Sequence, residues 1–285
     1  MQSDGLSGDP SETQGKRHES VHGEVQGSAL GEVHEGRTLI AIGGTEREAF
    51  LQGLVTNDVA RLSEGLVYAG LLTPQGKYLA DFFLVPDGDR ILLDVASPLA
   101  TDLFKRLKMY KLRADVTLDE AKGHVLRGLG PAPEGAFSDP RHVDLGWRSY
   151  TMATGGPAAV DWDAIRVNNC IPETGIELRP NETFILEAGF ERLHGVDFRK
   201  GCYVGQEVTA RMKHKTELRK GFATVRVAGD APAPGTEILH KGKSVGALFT
   251  VSGSRGIAYL RYGRAGEGME AGAAKVSWSS VGAPV

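Results

Sequence analysis

The chain of 285 residues has few of the residues on which several protein classes depend. Its two cysteines, Cys170 and Cys202, are too few for a disulfide scaffold or a four-cysteine zinc site, and they fit a reducing compartment. No run of apolar residues in the sequence approaches the length of a membrane-spanning helix, which is about 20 residues, so we expect no membrane partner. The 33 basic and 36 acidic side chains give a net charge of −3, which excludes a wholly basic nucleic-acid coat.

Residues 1–37 differ in composition from the rest of the chain. They contain seven acidic and three basic side chains and no aromatic residue. Such a segment buries too little apolar surface to offset the entropy lost on ordering, so we predict a disordered acidic tail in which His18, His22 and His34 are scattered rather than metal-binding. The tail lacks the apolar core of a secretory signal and the arginine-rich, acid-poor composition of a mitochondrial transit peptide. We therefore expect a cytoplasmic location.

The order of the predicted elements in the body indicates an α+β protein. A strand at residues 38–42 precedes a helix whose Thr45 and Glu48 have the spacing of a capping box. Strands at residues 66–73, 77–85 and 90–95 form a meander, and Ser97-Pro98 begins a helix with one apolar face. This order predicts a ferredoxin-like unit. We place the portions at residues 1–37, 38–130, 131–215 and 216–285, the last being a small β-barrel of short strands.

Residues 198–220 carry the strongest chemical signal. Gly201 and Gly205 bracket Cys202, and seven basic side chains against two acidic ones surround it. A positive neighbourhood favours the thiolate, the reactive and metal-binding form of cysteine. Gln206 and Glu207 can hold a planar heterocycle through paired hydrogen bonds. A lone cysteine is more often a small buried apolar residue and a basic run a solvated helix face, so the residues alone leave both interpretations open.

A family resemblance adds to this interpretation. Residues 200–207, K-G-C-Y-V-G-Q-E, resemble the K-G-C-Y-x-G-Q-E signature of YgfZ-type folate-binding proteins. These proteins are relatives of the glycine-cleavage T-protein that act in iron–sulfur cluster assembly or repair. Residues 50–59 resemble the family's F-L-Q-G-x-x-T-N-D-V, and residues 72–82 its L-T-P-Q-G-K-x-x-x-D-F. The resemblance covers about residues 38–265.

The resemblance implies a ring of two ferredoxin-like portions and a C-terminal β-barrel, with a tetrahydrofolate site in the central channel. It implies that the iron–sulfur role depends on Cys202, and that Gln206 and Glu207 lie near the pterin. The residues that we assign to the cofactor are Asn57, Asp58, Lys200, Tyr203, Gln206, Glu207 and Arg211. The expected partners are iron–sulfur scaffold, carrier or client proteins, with tRNA-modifying enzymes among the clients.

Cys202 is the first catalytic candidate, and Asp81 is the second. In a strand over residues 77–85 it shares a face with Leu79 and Phe83, and both faces are apolar, so we expect a partly buried carboxylate. Burial without a cation suits a group that handles protons or anchors a ligand, whereas the plainer interpretation is that Asp81 accepts hydrogen bonds from backbone donors. T-proteins resemble this region but carry an Asp-Asp pair that serves aminomethyl transfer, and here Ala80 occupies the first position.

Two departures from the family pattern stand outside the signature. The R-x-x-x-G-x-P pattern keeps Arg166 and Pro172 but has Cys170 in place of glycine, which puts a backbone turn in question. The Pro-His-Glu upstream of the signature is reduced to Glu187, which puts a channel residue in question.

Three functions follow from these observations. The first is a tetrahydrofolate-binding accessory factor for the assembly or repair of iron–sulfur proteins. This function favours an assembly factor over an enzyme. Because clusters normally take four protein ligands, Cys202 would share a cluster with a partner. The second is a folate-dependent aminomethyl or one-carbon transferase that uses Asp81. The third, ranked last, is a nucleic-acid or scaffold protein that uses the basic faces of residues 105–113 and 199–220.

Overall fold

The computed structural model describes residues 31–214 and 218–279. In chain order the strands are β1 (Glu32–Val33), β2 (Arg37–Gly43), β3 (Val67–Leu72), β4 (Tyr78–Asp87), β5 (Arg90–Ala96), β6 (Thr117–Ala121), β7 (His124–Gly128), β8 (Phe137–Ser138), β9 (Trp147–Thr151), β10 (Lys220–Ala228), β11 (Thr236–His240), β12 (Lys243–Ser252), β13 (Arg255–Arg261), β14 (Met269–Ala271) and β15 (Ala274–Ser277). The helices are α1 (Arg47–Gln52), α2 (Ser97–Lys111), α3 (Trp162–Asn168) and α4 (Gln206–His214). No helix within the described residues is long and apolar enough to cross a membrane.

The first portion is an antiparallel sheet of five strands in the order β3-β4-β5-β2-β6. Helix α2 covers it with Leu103 and Leu107, as the apolar spacing predicts. The predicted capping box does not form, because the Thr45 hydroxyl donates to Asp115 and α1 begins only at Arg47. The local cap signal is outweighed here by a contact that is distant in sequence.

A β-bulge changes the side-chain alternation in β4. Leu71 pairs with Ala80, but the next residue, Leu72, pairs with Tyr78, so Leu79 is the extra residue. A bulge reverses the alternation on one side of it. Leu79 therefore packs in the core beneath α2, and Tyr78 shares the face of Asp81. The prediction that Leu79 lies on the same face as Asp81 is wrong for this reason.

The second sheet has the order β1-β7-β9-β8. Strand β1 lies inside the segment that we predicted to be a disordered tail, so that prediction is wrong for residues 31–37, while residues 1–30 lie outside the described residues. Glu32 is buried and accepts hydrogen bonds from the Trp162 indole and from the backbone of Ala159 and Val160. These partners lie 127 to 130 positions away in the sequence. Composition alone does not reveal such partners.

Strands β10 to β15 close into a barrel, as predicted from the short strands and turns. Two buried carboxylates join it to the second portion. Glu177 accepts from Arg166 and from Thr250 of β12, and Glu187 accepts from the Tyr259 hydroxyl of β13 at 2.7 Å. Glu187 is thus a connection to the barrel. The chain thus has two antiparallel sheets with helices followed by a closed C-terminal β-barrel, the order of portions that the sequence predicts.

Candidate functional site

Cys202 is an exposed free thiol in the loop that leads into α4. The loop runs against the first portion, where two family motifs meet. A Cβ atom on Gly205, which has a φ of +84°, would lie 2.6 Å from the Thr73 carbonyl oxygen, and one on Gly76 would lie 2.8 Å from Cβ of Val208. Glycine at both positions therefore permits the close approach that places Cys202 beside the first portion.

Lys200 anchors this loop. Its side chain is buried, and Nζ donates to the carbonyl oxygens of Gln52 at 2.8 Å, Val55 at 2.6 Å and Asn57 at 3.0 Å. Burial lowers the pKa of Lys200 from 10.5 to about 8. The ammonium also lies 5.2 Å from the ring centroid of Tyr203, whose pKa burial raises to about 12. Two residues before Cys202, the chain is thus fixed to residues 52–57.

The first turn of α4 presents its polar groups to solvent. Glu207 and Arg211 form an ion pair of 2.6 Å on the helix surface, and their side chains are 86% and 58% exposed. Gln206, the first residue of α4, is half-buried. Glu207 and Arg211 are therefore occupied with one another on the outside of the helix, and pairing of this kind contributes little to stability.

Asn57 and Asp58 have structural partners within their own segment and beyond it. Asn57 is buried and donates to the carbonyl oxygens of Tyr68 and His194, and its Oδ1 accepts from the backbone of Asp58. Asp58 caps the 3₁₀ turn Val59–Ser63 by accepting from the Ala60 backbone. Their hydrogen-bonding groups hold the loop whose carbonyl oxygens receive Lys200.

Asp81 is enclosed by hydroxyl groups. Its carboxylate accepts from the hydroxyls of Tyr68 at 3.0 Å and Tyr78 at 2.7 Å, and also from Thr174. Burial, with a further contribution from the neighbouring carboxylate, raises the pKa of both tyrosines well above its usual value. The expectation of a buried carboxylate is confirmed. Three O–H donors occupy it, so it joins β3 and β4 to the second portion.

These positions test whether the predicted residues fit a folate. Asn57 lines a cleft of 380 Å³ together with Tyr68 and Phe137, but that cleft is not lined by Asp81, Lys200, Tyr203, Gln206, Glu207 or Arg211. Glu207 and Arg211 are exposed on α4, and Asp81 already accepts from three hydroxyl groups. Asn57 is the one member of the predicted set that lines this cleft, and we derive no folate-dependent step from these residues.

Sequence reasoning missed a buried polar network between the two sheets. Asp94 is fully buried and accepts from Arg37 at 2.6 Å, Arg148 at 2.8 Å and the Tyr150 hydroxyl at 3.0 Å. Arg148 also lies 4.2 Å from the ring centroid of Phe83. A single aspartate inside the apolar strand β5 was the available signal. Charges of this kind are stable in a core only when paired, which pointed to a distant cation.

His34 belongs to the same network. Its Nδ1 lies 3.3 Å from Nη2 of Arg148. Burial and the surrounding arginines hold the pKa of His34 well below its ordinary value, so the ring is neutral at pH 7. The interpretation of His34 as a scattered tail residue is therefore wrong.

The described residues contain no group of three or more histidine, cysteine or acidic side chains able to hold a metal ion. Cys170 and Cys202 are both free, and Cys170 is buried while Cys202 is exposed.

Comparison with solved structures places the architecture in one class. The glycine cleavage system aminomethyltransferase T from Bartonella henselae superposes with a TM-score of 0.70, covering 88% of this chain and 87% of that one, at 15% identity. The chain therefore has the fold of the glycine-cleavage T-protein, and the predicted fold class is confirmed. At this identity the likeness defines the fold and no activity.

Comparison of the sequence narrows the class to a family. The CAF17 C-terminal beta-barrel domain matches residues 219–281. The mitochondrial iron–sulfur cluster assembly factor IBA57 of Mus musculus is 32% identical, over 80% of this chain and 76% of the relative, and the human protein is 31% identical, over 79% and 76%. The homologue from Mycosarcoma maydis is 35% identical, over 69% and 57%. The chain belongs to the IBA57 family of iron–sulfur cluster assembly factors.

These relatives decide two predictions. Kinship with iron–sulfur assembly factors of T-protein fold is confirmed, whereas YgfZ-type specificity stays a prediction. The predicted cytoplasmic location is wrong, because the curated relatives are mitochondrial proteins.

Proposed function

We propose that this chain is a mitochondrial accessory factor in iron–sulfur cluster assembly, in which Cys202 supplies one ligand to a cluster that a partner protein also holds. The observation that carries the proposal is an exposed free thiol on a loop fixed by the buried Lys200. The names of the relatives support the process and the compartment.

The chemistry at Cys202 is ligand exchange on the cluster, which is the cargo. The thiol releases its proton to solvent, and the sulfur donates an electron pair to an iron atom that has lost one ligand of the partner. A protein that supplies one ligand binds the cluster only while the partner supplies the others. A fixed loop keeps the sulfur at the surface, so that less conformational entropy is lost when the cluster is shared.

The charged surroundings of the thiol favour an acidic partner. Residues 198–220 contain seven basic side chains against two acidic ones, and Arg199, three residues before Cys202, is 90% exposed, whereas its neighbour Asp197, 3.7 Å away, is only 12% exposed. Exposed charges of one sign steer association with a surface of the opposite sign. The expected partners are scaffold, carrier or client proteins, and tRNA-modifying enzymes among the clients stay a prediction from the resemblance.

The test uses the full chain and a scaffold protein loaded with a cluster under anaerobic conditions. With wild type, we expect visible cluster absorbance to co-elute with the chain and partner in size-exclusion chromatography, and an apo client to gain its cluster. Cys202→Ser should lose both signals, while Cys170→Ser, the matched control, should retain them. Full cluster transfer by Cys202→Ser would contradict the proposal.

Tetrahydrofolate binding stays a prediction from the resemblance. The cleft lined by Asn57, Tyr68 and Phe137 is the feature that supports it, since 380 Å³ lies within the range of small-ligand sites. The transferase alternative receives less support, because Asp81 already accepts from three hydroxyl groups. In equilibrium dialysis against a reduced folate, Cys202→Ser should bind as tightly as wild type, and absence of binding to wild type would remove folate from the proposal.

A further inference from the structure

A groove of 640 Å³ runs along the seam between the C-terminal end of α3 and the barrel. A second cavity, of 580 Å³, continues along the barrel, and the two share Arg226, Arg255 and Ser277. They are therefore adjoining parts of one groove, with both arginines where the parts meet. None of its lining residues belongs to the signature loop around Cys202.

Arg226 and Arg255 are direct partners in the antiparallel ladder of β10 and β13. Residues directly opposite one another place their side chains on the same face of a sheet, and like charges in such pairs are destabilising. Both side chains are exposed. Arg255 donates to Oδ1 of Asn168 at 3.3 Å, and Arg226 makes no side-chain hydrogen bond or ion pair with another described residue. The ladder thus holds two neighbouring guanidinium groups without a carboxylate paired to either.

The other groups that line the groove do not repel an anion. The C-terminal carbonyl oxygens of a helix repel negative charge. Here Arg192 caps them by donating to the carbonyl oxygens of Asn169 at 2.9 Å and Cys170 at 2.7 Å. Glu267 is the acidic residue among the lining residues and forms no ion pair with the arginines, so positive charge predominates along the groove.

We propose that Arg226 and Arg255 form a binding site for a small, multiply charged oxyanion, that is, a molecule with phosphate or carboxylate groups. A guanidinium fork binds the oxygen atoms of either group in a bidentate manner. The hydroxyl of Ser277 and the amide of Asn168 lie in the same groove and are able to donate to further oxygens. The site is independent of the cluster role, because the groove lies on the barrel side of α3.

The test titrates the full chain with tripolyphosphate and, separately, with citrate, using calorimetry and the fluorescence of Trp278, which lines the groove. The double variant Arg226→Gln/Arg255→Gln should bind either anion at least about tenfold more weakly than wild type, since each substitution removes a charge-assisted hydrogen bond to the anion. Lys105→Gln/Lys243→Gln, which removes the same charge from exposed positions outside the groove, should bind like wild type.

If tripolyphosphate binds more strongly than citrate, the ligand carries phosphate groups; if citrate binds more strongly, it carries carboxylate groups. Both outcomes support the site. No binding of either anion to wild type, or equal binding by the two double variants, overturns it. The single variant Arg226→Gln keeps the contact between Arg255 and Asn168, and circular dichroism checks that each variant is folded. A loss of affinity in a folded Arg226→Gln supports the site on its own.

Discussion

Two thiols in this chain have opposite environments. Cys202 is exposed on the loop before α4, whereas Cys170 is 2% exposed, between α3 and the barrel. Burial raises the pKa of Cys170 to about 11. The environment of each cysteine, and not the residue type, therefore decides which thiol is able to contact a partner protein. One is a candidate ligand, and the other is a packing residue at a turn.

The regions around the two thiols are also held in different ways. The Cys202 loop depends on one buried side chain, Lys200, bonded to three carbonyl oxygens. The Cys170 region depends on the backbone, because Cys170 has a φ of +50° and its carbonyl oxygen accepts from Arg192. The turn that glycine makes in the family pattern is therefore kept by Cys170, in a conformation that favours glycine.

The largest expected difference is in the rate of alkylation. In native protein at pH 7.5, Cys202 should react with iodoacetamide roughly a thousandfold faster than Cys170, because a thiol with a pKa of about 11 is almost entirely protonated and is also buried. Mass spectrometry of peptides from timed reactions measures both rates. In denaturant the two alkylation rates should become equal. Equal rates in the native protein would show that the environments of the two thiols do not differ in their effect on reactivity.

The next difference concerns the anchor of the Cys202 loop. Lys200→Met should lower the free energy of unfolding by about 2–4 kcal/mol, because it leaves buried carbonyl oxygens without their donor. Urea denaturation measures the change. Arg199→Met, at a neighbouring position that is 90% exposed, is the control and should change stability little. A similar loss in both variants would show that Lys200 has no special structural role.

The pH dependence sharpens the same point. Lys200 loses its proton near pH 8 in the folded chain but near its ordinary value of 10.5 in the unfolded chain. Between these values the unfolded state binds more protons, so the stability that Lys200 contributes rises with pH. The difference in free energy of unfolding between wild type and Lys200→Met should therefore widen from pH 8 towards pH 10. A constant difference would contradict the lowered pKa.

The smallest expected effect lies at the buried thiol. Cys170→Ala loses the packing of the sulfur and keeps the positive φ, so it should be destabilised by about 1–2 kcal/mol. Cys170→Gly loses the packing of Cβ as well as that of the sulfur, but it relieves about 1–2 kcal/mol of backbone strain, so it should be the more stable of the two. Urea midpoints of both variants measure the order. A higher urea midpoint for Cys170→Ala than for Cys170→Gly would show that the turn at Cys170 is not strained.

Local patterns predicted much of the fold. The apolar spacing of Leu103 and Leu107 predicted α2, and the spacing of turns after residue 221 predicted the barrel. The bulge at Leu79 was not predicted, because it depends on how β3 pairs with β4. Strand β1 was not predicted either, since Glu32 is stabilised by Trp162 and by backbone groups distant in the chain.

The candidate site divides in the same way. The motif around Cys202, its relation to iron–sulfur proteins and the order of the elements were predictable, because residue type, spacing and turn chemistry are local properties. The three-dimensional structure was needed to show that Lys200 is an anchor, that Asp81 is enclosed by hydroxyl groups and that Arg226 faces Arg255. The physical reason is that hydrogen-bond saturation, burial and charge pairing depend on groups brought together by folding from distant parts of the chain.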